Sequence, residues 1–135
     1  MKRQTNFRVQ RLIRGLGAGL VFISVGPAFA SEHIVELAWR SDAGFEHSAS
    51  IAPGKFLELC GKLTKGDSVK WQFEAAAPLA FNIHYHQGKE VVFPAKLPKA
   101  DRAQDVLTVP IDQDYCWMWS NKGAEAAKLK VQLQR

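Results

Sequence analysis

An alternating aromatic segment near the carboxyl end constrains this fold most. Residues 114–121 read DYCWMWSN, so three aromatic residues, Tyr115, Trp117 and Trp119, alternate with Cys116, Met118 and Ser120. A period of two places alternate side chains on opposite faces of a β-strand. Each aromatic side chain buries about 150–250 Å². The segment therefore predicts a central core strand that carries its aromatic rings on one face.

Eight further segments carry strand patterns, in which apolar residues alternate with polar ones between turn residues. They cover residues 33–40, 45–51, 55–63, 68–74, 79–86, 90–93, 106–111 and 128–134. Residues 55–63 also fit one face of a helix, and the surrounding strands favour a strand there. With no clear amphipathic helix, the pattern predicts an all-β fold, an antiparallel β-sandwich of seven to nine strands.

Two stretches are predicted to connect strands. Residues 75–78, Ala-Ala-Ala-Pro, separate two alternating segments. Residues 94–105 are polar, contain Pro98 and carry several charges, which is typical of a surface loop. Residues 87–89, Gln-Gly-Lys, predict a hairpin turn.

Residues 1–30 carry the three parts of a secretory signal peptide. Basic residues come first, an apolar run follows at residues 16–25, and Ala28-Phe29-Ala30 is a small-x-small cleavage site. The run is shorter than the ~20 residues that span a bilayer, and glycines interrupt it, which disfavours an uncleaved anchor helix. We therefore expect cleavage before Ser31 and one mature domain at residues 31–135, either periplasmic or secreted by a bacterial export system.

The charge balance depends on this cleavage. The whole chain has 18 basic and 13 acidic residues, and five of the basic ones lie in residues 1–30 with no acidic residue beside them. The mature chain thus carries 13 of each sign. It lacks the concentrated basic patch that a nucleic acid or an anionic membrane would require. We expect no nucleic-acid partner and no membrane span after cleavage.

Several of these segments together resemble the GOLD (Golgi-dynamics) domain, the lumenal β-sandwich of cargo receptors in the early secretory pathway. The matching pieces are Cys60, Gly-Asp-Ser-Val at 66–69, Phe-Asn-Ile at 81–83, Tyr-Cys-Trp-Met-Trp-Ser-Asn at 115–121 and the last strand at 128–133. The resemblance covers residues 58–133. It implies a β-sandwich without enzymatic activity, here as a bacterial, exported single-domain form. Immunoglobulin-like and cupredoxin-like sandwiches are the alternatives.

The chain contains two cysteines, Cys60 and Cys116, and export permits a disulfide between them. They depart from the family pattern, in which the cysteines correspond to Glu58 and Met118. Both have moved by two positions in opposite directions, which conserves an antiparallel pairing and keeps each side chain on its face. The resemblance therefore implies that the two segments are neighbours and that Cys60 and Cys116 are bonded.

The sequence contains no catalytic constellation: G-x-S-x-G, H-E-x-x-H and C-x-x-C are all missing. We expect no enzyme. The main site candidates are His84 and His86, whose Cα atoms lie about 7 Å apart on one strand face, near enough to share a metal ion. Asn82 shares this face, and Glu90 is expected to return to it across the hairpin.

Cys116 and Met118 are soft ligands, and together with two histidines they suggest a copper site of the cupredoxin kind. Such a site usually has a histidine just after the cysteine, and Trp117 stands there instead. The alternative for His84 and His86 is a solvated polar face, and His47 is expected to be a satisfied, partly buried residue. The candidate cofactor is thus copper or none.

The mature amino terminus offers a second metal candidate. Cleavage would leave Ser31-Glu32-His33, in which the α-amine, two backbone amides and the imidazole of His33 form a square-planar set of four nitrogens for Cu(II) or Ni(II). The first strand would compete for His33 by drawing it into the sheet.

These observations predict a soluble, exported binding module without enzymatic activity. Its partner is a protein or a small ligand, and the sequence does not identify the residues that bind it. The first alternative is a periplasmic copper-binding, cupredoxin-like protein that uses His84 and His86 or the terminal His33. A structural accessory subunit of an envelope complex is the second.

Overall fold

The structure, a computed structural model, describes residues 33–135. The predicted signal peptide lies outside the described residues. Seven strands make up the described part of the chain, and no helix is present in it. They are β1 (His33–Glu36), β2 (Gly44–Ile51), β3 (Phe56–Leu63), β4 (Ser68–Gln87), β5 (Glu90–Thr108), β6 (Gln113–Ser120) and β7 (Ala127–Gln134).

The long strand β4 joins two halves of one curled sheet. The strand order is β1-β3-β6-β4-β7-β2, and β5 pairs with β4 alone. Residues 80–84 of β4 pair with β6, whereas residues 70–75 pair with β7. One half is therefore β1-β3-β6 with the end of β4, and the other is β2-β7 with its beginning. The β4–β5 hairpin runs through both.

The core lies between these two halves. Phe73, from the first part of β4, lies 4.9 Å from the ring of Phe81 in its second part and 5.6 Å from Trp119 of β6, measured between ring centroids. Because residues far apart along one strand pack together, the strand must fold its two ends over a shared interior. The predicted all-β sandwich is confirmed, with seven strands.

Strand β6 is the central core strand that the alternation predicted. Tyr115, Trp117 and Trp119 are each 0% exposed, and β6 lies between β3 and β4. The polar ends of the segment have structural roles as well. Tyr115 donates its hydroxyl to the Ile111 carbonyl at 2.9 Å, and buried Asn121 donates to the Ile51 carbonyl at 2.8 Å.

Strand β1 gives the sheet one parallel pair. It runs parallel to β3, whereas every other strand pair is antiparallel among residues 33–135. Leu37, just after β1, lies directly over Gly61, where a Cβ atom would come within 2.8 Å of the Leu37 Cβ. The missing side chain at Gly61 therefore lets the edge strand approach closely.

Two predicted connections are wrong, because both stretches are strand. Residues 75–78 lie inside β4, where the pairing with β5 shifts register between Glu74 and Leu79 as the chain passes from one half to the other. Residues 94–105 lie inside β5. Strand β5 is an edge strand, where proline is tolerated because its missing N–H can face away from the ladder. The hairpin turn at residues 87–89 is confirmed, with Gln87 opposite Glu90.

Candidate binding face on the outer side of β3, β6 and β4

The outer side of the first half carries the chemical groups that the sequence singled out. Odd-numbered residues of β3, β6 and β4 point into the core, so even-numbered residues point out. We call this outer surface the imidazole face. Its central members are Glu58, Cys60, Asn82, His84, His86, Cys116 and Met118.

The predicted disulfide is present in this face. Cys60 and Cys116 are direct partners in the β3–β6 ladder, with Cα atoms 4.1 Å apart and sulfur atoms 2.09 Å apart. Glu58 lies opposite Met118 in the same ladder. The observed register therefore places the two pairs of positions as successive outward-facing rungs.

His84 is the most enclosed polar side chain of the face, at 7% exposure. Its Nδ1 lies 2.8 Å from the Asn82 Oδ1. Because that oxygen only accepts, Nδ1 carries the proton and Nε2 keeps its lone pair. Burial lowers the pKa of His84, Glu58 opposes this by raising it, and His86 lowers it further. The hydrogen bond to Asn82 holds the ring in one orientation, with Nδ1 as the donor.

A β-bulge in β5 brings an aromatic ring to His84. Ile83 pairs with Ala95 and Tyr85 pairs with Val92, so both Phe93 and Pro94 lie opposite His84. The extra residue turns Phe93 onto the outer side. Its ring centroid lies 6.0 Å from that of His84.

His86 lies further out and is exposed. Its ring centroid is 5.5 Å from that of His84, at an interplanar angle of 80°. Glu90 does not join this pair: it pairs with Gln87, whereas His86 pairs with Val91, so Glu90 faces the other side of the hairpin. The expectation for Glu90 is wrong because the turn places Glu90 opposite Gln87, so that the next residue, Val91, lies opposite His86.

The carboxylate beside His84 belongs to Glu58, which the sequence did not single out as a site residue, and not to Glu90. A carboxylate oxygen of Glu58, a ring nitrogen of His84 and the Cys116 sulfur all lie within 4.8 Å of one another. Cys116 offers no thiolate while it is bonded to Cys60, so a cupredoxin-like site cannot use it in this state. Glu58 reaches His84 only because β6 separates β3 from β4 by a single strand.

His33 lies away from this face. It begins β1 and pairs with Leu57, on the core side of the ladder. The Leu37 N–H donates to the Cys60 carbonyl at 2.8 Å, and alternate residues of a strand direct their amides the same way, so the His33 amide faces β3. The terminal copper site would need that amide as a ligand, and its other members, Ser31 and Glu32, lie outside the described residues.

His47 is half-buried, as expected, and its ring stacks on Phe45 at 6.3 Å. Burial lowers the pKa of His47, and the nearby His33 lowers it further. The two histidines line one cavity of about 260 Å³ between β2 and the β1–β3 edge.

A wider concavity of about 450 Å³ lies on the outer side of the second half and is lined mainly by charged and amide side chains, among them Glu46, Gln72, Glu74, Arg102, Gln104, Lys130 and Gln132. Neither surface had a sequence signal beyond ordinary alternation.

Within residues 33–135, no helix is long and apolar enough to cross a membrane. No family model matches the chain, and no curated protein matches it in sequence.

Solved structures nevertheless share the fold. One is PliG from Aeromonas hydrophila, a periplasmic inhibitor of g-type lysozyme, with a TM-score of 0.55 and 11% identity over 78% of this chain and 98% of that one. A PliG mutant from Escherichia coli matches with a TM-score of 0.52 and 14% identity, covering 77% and 98%. The pre-peptidase C-terminal domain of a Bacillus anthracis collagenase matches with a TM-score of 0.58 and 5% identity, covering 78% and 98%. At these identities the likeness defines the class of fold, a small all-β sandwich domain.

Proposed function

We propose that this protein is a periplasmic, non-enzymatic binding module that binds a protein partner through the imidazole face. The observation that carries the proposal is a strip of exposed apolar side chains across this face. Ile34 is 69% exposed, Val91 42% and Phe93 44%. Ile34 pairs with Glu58 and Val91 pairs with His86, so both point outward with the imidazole face.

Such a strip suits protein recognition. Exposed apolar residues mark interaction sites when they are contiguous and rimmed by polar groups. Here the half-buried Met118 and disulfide lie between Ile34 and Phe93, with Glu58 and His84 among them, and Lys96 holds its amine 4.8 Å from the centroid of the Phe93 ring. Aromatic residues, methionine and a polar rim are typical of interface centres. The wider concavity of the second half is lined mainly by charged and amide side chains, and none of the exposed large apolar residues lies in its lining.

The fold neighbours suggest the first partner to test. The Aeromonas, Escherichia and Salmonella proteins are periplasmic inhibitors of g-type lysozyme on a similar sandwich. Together with the predicted signal peptide, they favour export and a protein ligand. They also agree with a domain that binds instead of catalysing.

The test is to measure binding of the purified exported protein to g-type lysozyme, and inhibition of that enzyme. Phe93→Asp should abolish binding, because it replaces the exposed aromatic ring of the face with a charge. Val106→Asp is the matched control, since Val106 is 49% exposed on the same strand β5 but lies in the other half. We expect the control to bind as the parent does.

If lysozyme does not bind, a photo-crosslinking residue at position 93, compared with one at 106, tests for another partner in periplasmic extract. A single protein crosslinked from 93 but not from 106, and lost on adding Ile34→Asp, would support the proposal. Equal or no crosslinking from both positions would contradict it.

Copper binding is the second candidate function, favoured by the closeness of His84, His86 and Glu58. In the oxidised protein these side chains supply two imidazoles and a carboxylate, which suit Cu(II). Titration of Cu(II) into the exported protein should give one site per chain that His84→Ala removes. Loss in His33→Ala instead would move the site to the amino terminus, and an unchanged affinity in both variants would contradict copper binding.

A further inference from the structure

The disulfide lies inside a cluster of metal-ligating side chains. Glu58, His84 and Cys116 place ligand atoms within 4.8 Å of one another. Cys60 belongs to the same cluster, because its sulfur is bonded to that of Cys116 and lies 3.8 Å from the Glu58 Oε2. Two sulfurs, one imidazole nitrogen and one carboxylate oxygen therefore converge from three adjacent strands.

We propose that reduction of the Cys60–Cys116 disulfide opens a site for a thiophilic metal ion, Zn(II) or Cu(I), formed by Cys60, Cys116 and His84 with Glu58 beside them. This inference goes beyond the proposed function and does not depend on a protein partner.

The ligand set fits zinc in both type and number. Tetrahedral zinc sites take cysteine, histidine and carboxylate ligands, with Zn–S distances of about 2.3 Å and Zn–N distances of about 2.0–2.1 Å. Ligand atoms around such an ion lie roughly 3.3–3.8 Å apart, as those bond lengths require. The His84, Glu58 and Cys116 atoms lie within 4.8 Å of one another, so they would have to draw together by up to about 1–1.5 Å. The two sulfurs also separate once their bond is broken.

Asn82 orients the His84 ring for metal binding. The His84 Nδ1 is held by the Asn82 Oδ1 at 2.8 Å, which fixes the ring and leaves the Nε2 lone pair free. Metal-binding histidines commonly donate their other ring N–H to such an acceptor. Asn82 is therefore assigned as a positioning residue. His84 is also almost fully enclosed, at 7% exposure, so little water competes at the imidazole.

The oxidation state decides whether the site exists. A disulfide offers no thiolate, and thiolates are the ligands that thiophilic metals require. A dithiol reductant reduces the bond by thiol–disulfide exchange: its two thiols become a disulfide, and Cys60 and Cys116 each gain a proton and become thiols. Metal binding then releases those protons as the thiols coordinate as thiolates. The half-buried cysteines lie on the outer face, where a thiolate can reach them.

The test compares zinc affinity in the two oxidation states. The purified exported protein is reduced with a phosphine under argon, freed of reductant, and titrated with Zn(II) against a chromogenic chelator. We expect one Zn(II) per chain, and a loss of more than about tenfold in affinity after reoxidation. Co(II) in place of zinc should give the charge-transfer absorption of a cobalt–thiolate bond only in the reduced protein.

Variants separate the assigned ligands from their surroundings. Cys60→Ser/Cys116→Ser has no disulfide and no thiolate, so it should bind as weakly as the oxidised protein. His84→Ala should weaken zinc binding in the reduced state, and Asn82→Ala should do so by about tenfold. His47→Gln is the control, a half-buried histidine of β2 outside this cluster, and should leave the zinc affinity unchanged.

Three outcomes would overturn the proposal. Equal zinc affinity in the oxidised and reduced proteins would remove the role of the disulfide. Binding by the double serine variant as tight as that of the reduced parent would exclude the thiolates. Loss of the β-sheet circular dichroism on reduction would show that the strands carrying the ligands do not stay paired.

Discussion

At the scale of single residues, polar side chains at the ends of strands hold the sandwich together. Asn121 is 2% exposed and donates to the carbonyls of Ile51 and Glu125, both at 2.8 Å, while its oxygen accepts from the Gly123 N–H at 2.9 Å. One amide thus ties the turn after β6 to the end of β2. A buried polar group with every bond satisfied specifies one arrangement.

Asn121→Ala should lower the free energy of unfolding by about 1–3 kcal/mol, because buried backbone groups lose their partners. Urea unfolding followed by tryptophan fluorescence measures this. The adjacent exposed Lys122→Ala should stay within about 0.5 kcal/mol of the parent. An Asn121→Ala protein as stable as the control would show that water replaces the amide.

The half-buried His47 should make stability depend on pH. Burial, and then His33, lower the pKa of His47 in the folded state, whereas the unfolded value is about 6.5. Below that pH the unfolded chain binds more protons than the folded one, so stability present above pH ~6.5 is lost as the pH falls. His47→Gln should lose less stability between about pH 7 and pH 5 than the parent. Urea melts across this range measure the slopes, and parallel slopes would contradict the assignment.

At the scale of elements, β5 departs furthest from expectation. It pairs with β4 from Gln87↔Glu90 to Ser68↔Thr108, although its middle is polar and contains two prolines. Its alternate side chains, such as Leu97 and Ala103, are only partly buried and pack on the rim of the core. Edge strands need little apolar surface, so their sequences resemble loops.

Hydrogen exchange distinguishes strand from loop in residues 94–105. Amides of β5 that face β4 should be protected and their neighbours, which face solvent, should exchange fast, since only one side of an edge strand is paired. Amide exchange measured by NMR resolves the alternation. Strand β6 is the protected reference, because it is paired on both sides. Uniformly fast amide exchange across residues 94–105 would contradict the pairing of β5 with β4.

At the scale of the whole molecule, β4 makes the two halves one cooperative unit. Its beginning pairs with β7 and its end with β6, and Phe73 touches the rings of Phe81 and Trp119 across the interior. Neither half has a complete core without the other. Small domains built this way unfold in one step.

Unfolding should therefore give coincident transitions by tryptophan fluorescence and by far-ultraviolet circular dichroism. Trp117→Ala removes a fully buried ring and should lower the free energy of unfolding by about 3–5 kcal/mol. The transitions seen by the two probes should move together. Gln72→Ala, an exposed position on β4, is the control and should shift neither. Two separated transitions in the parent would mean that the halves fold independently.

The sequence by itself determined the all-β class, the core strand β6 and the inward and outward faces of residues 68–74, 79–86 and 115–119. These follow from a period of two, which is a local property of the chain. The pairing of Cys60 with Cys116 is implied by the resemblance to the GOLD domain, which supplies the assumption that their two segments are neighbours, and the β3–β6 ladder contains this pair.

Only the tertiary structure decided which distant groups meet. Glu58 reaches His84 through the strand order β3-β6-β4, and Phe93 reaches it through a one-residue bulge in β5. Neither has a local signal, since strand order and bulges result from packing over the whole core. The same reason explains why the composition of residues 94–105 predicts a loop: pairing with β4, and not their own composition, makes them a strand.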